Sequence, residues 1–232
     1  MDNKVGHHIS QQFNKELEDI RNKVLIMGGL VEQQIELAIK AFFNSDMELA
    51  EKVIKQDDHV NSMETSIDQE CIQIIALRQP TAFDLRLLIS VIKILTEIER
   101  VGDQAKRIAQ MAIHIASDSD HTDSFYELQH ISTMIREMLH DALDGFARMT
   151  VEEILSINQR DENVNREYKS IMRQLITRMM EDPRTISRSL DVLWTARALE
   201  RIGDHACNIG EYVIFMIKGE DVRHGRSFSP MS

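Results

Sequence analysis

The sequence predicts an all-α protein: two tandem three-helix bundles, six long antiparallel helices in all, related by an internal repeat. Two observations carry that prediction. The first is composition. Of 232 residues, 43% are hydrophobic while only three are proline and nine glycine, which suits long helices better than many short strands. The second is duplication. Glu99-Arg100-Val101-Gly102-Asp103 returns as Glu200-Arg201-Ile202-Gly203-Asp204. Each copy follows an apolar helical pattern, Leu85, Leu88, Ile92 and Leu95 in one and Leu190, Leu193 and Ala196 in the other, so a glutamate arrives where the seam calls for an apolar residue.

In chain order, Phe13, Leu17, Ile20, Val24, Met27, Val31, Ile35 and Phe42 mark a first amphipathic helix. Asn44-Ser45-Asp46 then offers a break with capping chemistry. Leu49, Val53, Val60, Ile67, Cys71, Ile74 and Leu77 mark the second helix, with Asp57 in its seam. Pro80 disfavours helix in the residue before it, and a third helix runs from about Ala82 to Ala116. The polar stretch Ser117 to Ser124 reads as the domain boundary, giving bundles at 1–118 and 119–232. Phe125, Leu128, Ile131, Ile135, Leu143 and Phe146 mark a fourth helix. After a break at Met149-Thr150, Ile154, Ile157, Val164, Tyr168, Ile171, Leu175 and Met179 mark a fifth. Asp182-Pro183 turns the chain into a sixth that reaches about Ile217, with a loose tail after about 218. Three antiparallel helices per half make a bundle.

A second polar motif is also duplicated. Gln56-Asp57-Asp58-His59-Val60-Asn61 matches Arg160-Asp161-Glu162-Asn163-Val164-Asn165. Asn61 and Glu99 lie equally far from Pro80, as do Asp57 and Asp103, so a hairpin turning at Pro80 sets all four at one level. Around Pro183 the same holds, to within a residue, for Asp161, Asn165, Glu200 and Asp204. Each half thus gathers three carboxylates and one amide. Like charges one turn apart oppose each other by a few tenths of a kcal/mol, about 0.2–0.5, and the mid-helix Gly102 and Gly203 each cost about 1 kcal/mol against alanine. Hard oxygen donors of this kind suit Mg²⁺, Ca²⁺, Mn²⁺ or iron, and a bound cation relieves the repulsion. The competing reading is a salt-bridge network in which Lys106, Arg100, Arg107 or Arg201 neutralise the carboxylates.

Other features carry less. Glu137-x-x-His140 has the spacing of a di-iron bundle ligand pair but has no match in the first half. Glu32 and Glu137 fall near the patch levels, where either could add a ligand, and are expected to be solvated. His7-His8 reads as a flexible end. Asp84-Leu85-Arg86 opens the third helix as macrodipole compensation. Lys218, Arg223 and Arg226 are too few, and too mixed with Glu220 and Asp221, for a membrane surface. The net charge of −11 argues against nucleic acid. Cys71 and Cys207 form no Cys-x-x-Cys, so neither a disulfide framework nor structural zinc is expected. No signal-peptide core and no membrane-length apolar run occur, which predicts a soluble cytoplasmic protein.

Taken together, Arg78-Gln79-Pro80-Thr81-Ala82-x-Asp84-Leu85-Arg86, Glu97-x-Glu99-Arg100-Val101-Gly102-Asp103, Glu200-Arg201-Ile202-Gly203-Asp204-His205, Met27 to Gln34 and Met179 to Asp182 closely resemble the PhoU family of bacterial phosphate-signalling regulators. The resemblance implies tandem three-helix bundles, a homodimer, and metal clusters held by Glu99, Asp103 and Asp57 and by Glu200, Asp204 and Asp161. Asn61 and Asn165 stand where many relatives have aspartate, and a neutral amide binds a cation more weakly. Iron, magnesium, manganese and zinc are not distinguished as the divalent or trivalent ion. The resemblance further implies a non-enzymatic negative regulator of the phosphate-starvation response. Such a protein sits at the inner face of the membrane between the nucleotide-binding subunit of the phosphate ABC transporter and a sensor histidine kinase. The alternative from another class is a carboxylate-bound metalloenzyme on a helical bundle.

Overall fold

The computed structural model describes residues 2–117 and 126–222. Six helices account for nearly all of them: α1 (Asp2–Asn44), α2 (Met47–Arg78), α3 (Ala82–Ala116), α4 (Tyr126–Arg148), α5 (Ile157–Glu181) and α6 (Ile186–Lys218). Among the described residues there is no strand. Helices α1, α2 and α3 pack on one another, and so do α4, α5 and α6, which is the pair of three-helix bundles. The bundles meet chiefly through α3 against α6, with a smaller contact of α1 on α4. The polar stretch read as the boundary lies almost wholly outside the described residues, as does most of the expected tail.

The turns form where the side chains predict. Asp46 caps α2, its carboxylate accepting from the Leu49 N–H at 3.0 Å. Helix α2 ends at Gln79, whose φ of 48° places it in the left-handed region, immediately before Pro80. Two boundaries differ from expectation. The N-terminal residues read as a flexible end continue α1 as helical backbone back to Asp2. The fifth helix begins later than Ile154, because Ile154–Ser156 form a 3₁₀ turn that leads into it.

The core is two apolar seams joined across α3 and α6. Ile94, Leu95, Ile98, Val101, Ala105 and Ile108 of α3 are buried, as are Val192, Ala196, Leu199, Ile202, Ala206 and Ile209 of α6. Small residues let the helices approach closely. A Cβ on Gly28 would meet both Leu143 methyls at 3.0 Å, and one on Gly210 would lie 2.7 Å from Ile154 Cγ2. Arg86 works at a distance in sequence: its Nε donates to the Met216 carbonyl at 3.0 Å, satisfying a terminal carbonyl of α6 with a cation at the negative end of that helix. Its expected role was in the first turn of α3. The side chain instead reaches across the bundle interface.

Candidate metal centre

In the first half, α2 contributes Asp57 and Asn61 and α3 contributes Glu99 and Asp103. Asp57 is 1% exposed. Its Oδ2 accepts from Lys106 Nζ at 2.7 Å and from Asn61 Nδ2 at 3.5 Å. Asp57 Oδ1 and Asn61 Oδ1 are buried with no described hydrogen-bond partner. Glu99 is half-buried and Asp103 exposed. Burial, with the Asp103, Glu64 and Asp57 charges behind it, pushes the Glu99 carboxyl above its ordinary value, and Arg100 only partly opposes this. The hydrogen bond and charge of Asp57 hold the Lys106 ammonium above its usual value.

The second half is built alike from α5 and α6 but has no equivalent of Lys106. Asn165 Nδ2 donates to Asp161 Oδ2 at 2.8 Å, while Asp161 Oδ1 is buried without a partner. That oxygen faces Gly203, where a Cβ would come within 3.2 Å of it. Glu200 is buried; Arg197 donates to its Oε1 at 2.6 Å, and its Oε2 has no described partner. Arg201 lies 3.5 Å from Asp204. Burial first, then the Asp204 charge, push the Asp161 carboxyl up to about 6 in spite of the Asn165 hydrogen bond, with Glu162 adding to the rise. The Glu200 carboxyl is raised by burial and Asp204, opposed by Arg197 and Arg201.

Between the bundles lies a third polar cluster that the sequence reading did not single out. Glu97 of α3 is 4% exposed. Its Oε2 is 2.7 Å from His205 Nδ1 and accepts from Asn208 Nδ2 at 3.0 Å, both on α6, and its Oε1 accepts from Arg100 at 3.2 Å. Burial alone would raise this carboxyl, but the His205 and Asn208 hydrogen bonds and the His205 and Arg100 charges hold it below its ordinary value.

Residues 24–112 and 128–213 each match the family model of the PhoU domain. The chain is 50% identical over 220 residues to the phosphate-specific transport system accessory protein PhoU homolog of Pseudomonas aeruginosa, covering 95% of this chain and 91% of that one. It is 48% identical, over the same shares, to the phosphate-specific transport system accessory protein PhoU of Escherichia coli. This chain belongs to the PhoU family. The crystal structure of PhoU from Pseudomonas aeruginosa matches 90% of the chain with a TM-score of 0.87 at 48% identity. That of the phosphate transport system regulatory protein PhoU from Streptococcus pneumoniae matches 90% with a TM-score of 0.84 at 28% identity.

Set beside this family's duplicated motif, the structure brings each predicted quartet together on two facing helices, close enough for their charges to perturb one another. Among the described residues, however, no three His, Cys, Asp or Glu side chains gather in metal-holding geometry. The donors nonetheless fit a hard cation, because buried carboxylate and amide oxygens without partners are the groups that coordination would satisfy. Both halves already carry cations: the Lys106 ammonium pairs with Asp57 in the first, and Arg197 and Arg201 pair with Glu200 and Asp204 in the second.

The neutralising residues divide unevenly: Lys106 takes Asp57, Arg201 takes Asp204, and Arg100 turns instead to Glu97. Arg197, absent from the sequence reading, takes Glu200. Its spacing three residues before Glu200 was the available signal. Glu32 and His140 do not join the patches. They face each other at 3.1 Å across a cleft between α1 and α4, of about 740 Å³, which Glu137 also lines.

Proposed function

We propose that the chain is a negative regulator of the phosphate-starvation response. It acts as an adaptor between the nucleotide-binding subunit of a phosphate ABC transporter and a sensor histidine kinase, at the cytoplasmic face of the membrane and as a homodimer. The observation that supports this most strongly is likeness along 95% of the chain to proteins named as phosphate-specific transport system accessory proteins. Among the described residues no helix is long and apolar enough to cross a membrane, and in this reading the attachment is made through protein partners.

We further propose a cation at the second acidic quartet, with Glu200, Asp204 and Asp161 as carboxylate ligands and Asn165 as an amide ligand. Asp57, Asn61, Glu99 and Asp103 form its counterpart in the first half, where Lys106 pairs with the buried Asp57. A bound ion would supply positive charge to a site whose own carboxylates repel one another. This chain's residues do the rest: Gly203 leaves room for Asp161 Oδ1, and Asn165 orients Asp161 through its other oxygen. The role is one of binding and positioning, with no catalytic step.

Deletion of the gene in its host tests the regulatory reading. Constitutive expression of phosphate-starvation genes is expected, together with co-purification of the kinase or the transporter's nucleotide-binding subunit with the intact protein. A normal phosphate response in the deletion strain would sink it. Elemental analysis of untagged protein beside a Glu99→Gln, Glu200→Gln double variant tests the cation separately: metal in the parent and none in a still-helical variant is expected, whereas equal and negligible metal in both rejects it.

A further inference from the structure

The contact between α3 and α6 relates two similar halves, yet its two ends are finished differently. Laying Glu99 on Glu200 and Asp103 on Asp204 sets Lys93 on Trp194, Glu97 on Ala198, Gln104 on His205, Arg107 on Asn208 and Met111 on Tyr212. At one end the Glu97 carboxylate fills the space between the helices, held by His205 and Asn208, while the Lys93 ammonium lies 5.3 Å from the centre of the Tyr212 ring. At the other end the counterparts Gln104, Arg107, Met111, Trp194 and Ala198 line an open groove of about 410 Å³. Where Glu97 supplies an oxyanion, Ala198 supplies only a methyl group.

The groove is therefore left without a carboxylate at the place that matches Glu97, lined there by the Gln104 amide and the Arg107 guanidinium. Among the described residues, Arg107 has no hydrogen-bonded or ion-paired partner. Gln110, Arg197 and Arg201 complete the lining, which thus carries three arginines in a chain whose net charge is −11, with the Arg197 guanidinium also 5.7 Å from the centre of the Tyr168 ring. Two of them are partly neutralised, by Glu200 and Asp204. Trp194, the sole tryptophan, is 59% exposed at the groove wall. Planar guanidinium forks match the oxygens of phosphate or carboxylate, and an exposed indole offers a face on which a planar ring stacks. The volume lies within the range of about 300–1,000 Å³ usual for small-ligand sites.

We propose that this groove binds a small organic oxyanion carrying an aromatic ring, of the nucleotide class. Its phosphoryl oxygens occupy the place between Gln104 and Arg107 that the Glu97 carboxylate holds at the other end, and its ring lies against Trp194. The inference is independent of any cation at the acidic quartets, and its test is run in chelator to keep the two apart.

ATP titrated into the full-length protein in the presence of EDTA, followed by calorimetry and by the fluorescence of Trp194, is expected to give saturable heat and quenching below about 1 mM. Arg107→Ala is expected to weaken binding by about tenfold or more. Ala198→Glu places a carboxylate in the gap from within, and is expected to abolish ATP binding while raising Tm by about 2–4 °C. No heat and no fluorescence change up to about 5 mM ATP overturns the proposal and hands the groove to an acidic segment of a protein partner. Inorganic phosphate binding as tightly as ATP overturns the aromatic part. ATP binding that appears only when a divalent cation replaces the chelator moves the ligand to the acidic quartets. Undiminished binding in Arg107→Ala refutes the assignment even if Ala198→Glu does not fold.

Discussion

Asp161→Asn isolates the electrostatic cost stored in the second acidic quartet. Asp161 titrates at about 6 in the folded protein against 3.8 for the free side chain. Between those values the folded state holds the proton more tightly than the unfolded chain. Stability therefore falls as pH rises from about 4 to about 6, and the penalty is complete above that. A displacement of two units corresponds to about 2–3 kcal/mol, at about 1.4 kcal/mol per unit. Asparagine has nearly the same shape, keeps an acceptor for Asn165 Nδ2 and places no charge beside Asp204. Urea unfolding in EDTA at a series of pH values should show parent and variant nearly equal at pH 4, with the variant more stable by about 2–3 kcal/mol at pH 7.5. Mn²⁺ added at pH 7.5 should narrow that gap by stabilising the parent alone. A difference independent of pH, or a variant less stable at pH 7.5, would refute the reasoning that burial and Asp204 destabilise the Asp161 charge.

Lys106→Met removes the ammonium from buried Asp57 and is expected to cost about 2–4 kcal/mol by denaturant unfolding near neutral pH; an unchanged midpoint would mean that the pair contributes nothing. Glu97→Gln weakens the contact with His205 and Asn208 across the bundles and should lower stability by about 1–3 kcal/mol; a change below about 0.5 kcal/mol would show the cluster to be neutral. Two glycines should respond in opposite directions in thermal unfolding. Gly210→Ala drives a methyl toward Ile154 and is expected to destabilise by about 1–3 kcal/mol, whereas Gly29→Ala meets nothing within 4 Å and is expected to gain up to about 1 kcal/mol.

Much of the fold was legible because each helix carries its own evidence. Leu88 to Leu95 and Leu193 to Ala196 announce their seams by period alone, although Leu190, read as the first position of the second seam, is exposed; Asp46, Pro80 and Pro183 mark turns through local backbone chemistry that needs no tertiary partner. The pairing of Asp57 and Asn61 with Glu99 and Asp103 was also legible, since a tight hairpin converts distance from the turn directly into level along the bundle. The 3₁₀ turn at Ile154–Ser156 was not, because apolar spacing does not separate a tight turn from the first turn of an α-helix.

The sequence by itself determined the helices, their order, the duplication and the acidic character of both quartets. Only the tertiary structure decided how those charges are compensated. Lys106 reaches Asp57 from another helix, Arg197 claims Glu200, and Glu97 turns away from the patch to meet His205 and Asn208 of the other bundle. These outcomes depend on which side chains two helices present to each other when their bundles dock, a matter of rotation and crossing that no spacing within one helix contains. The same docking makes an interface of two similar halves unequal, filled by a carboxylate at Glu97 and open at Ala198.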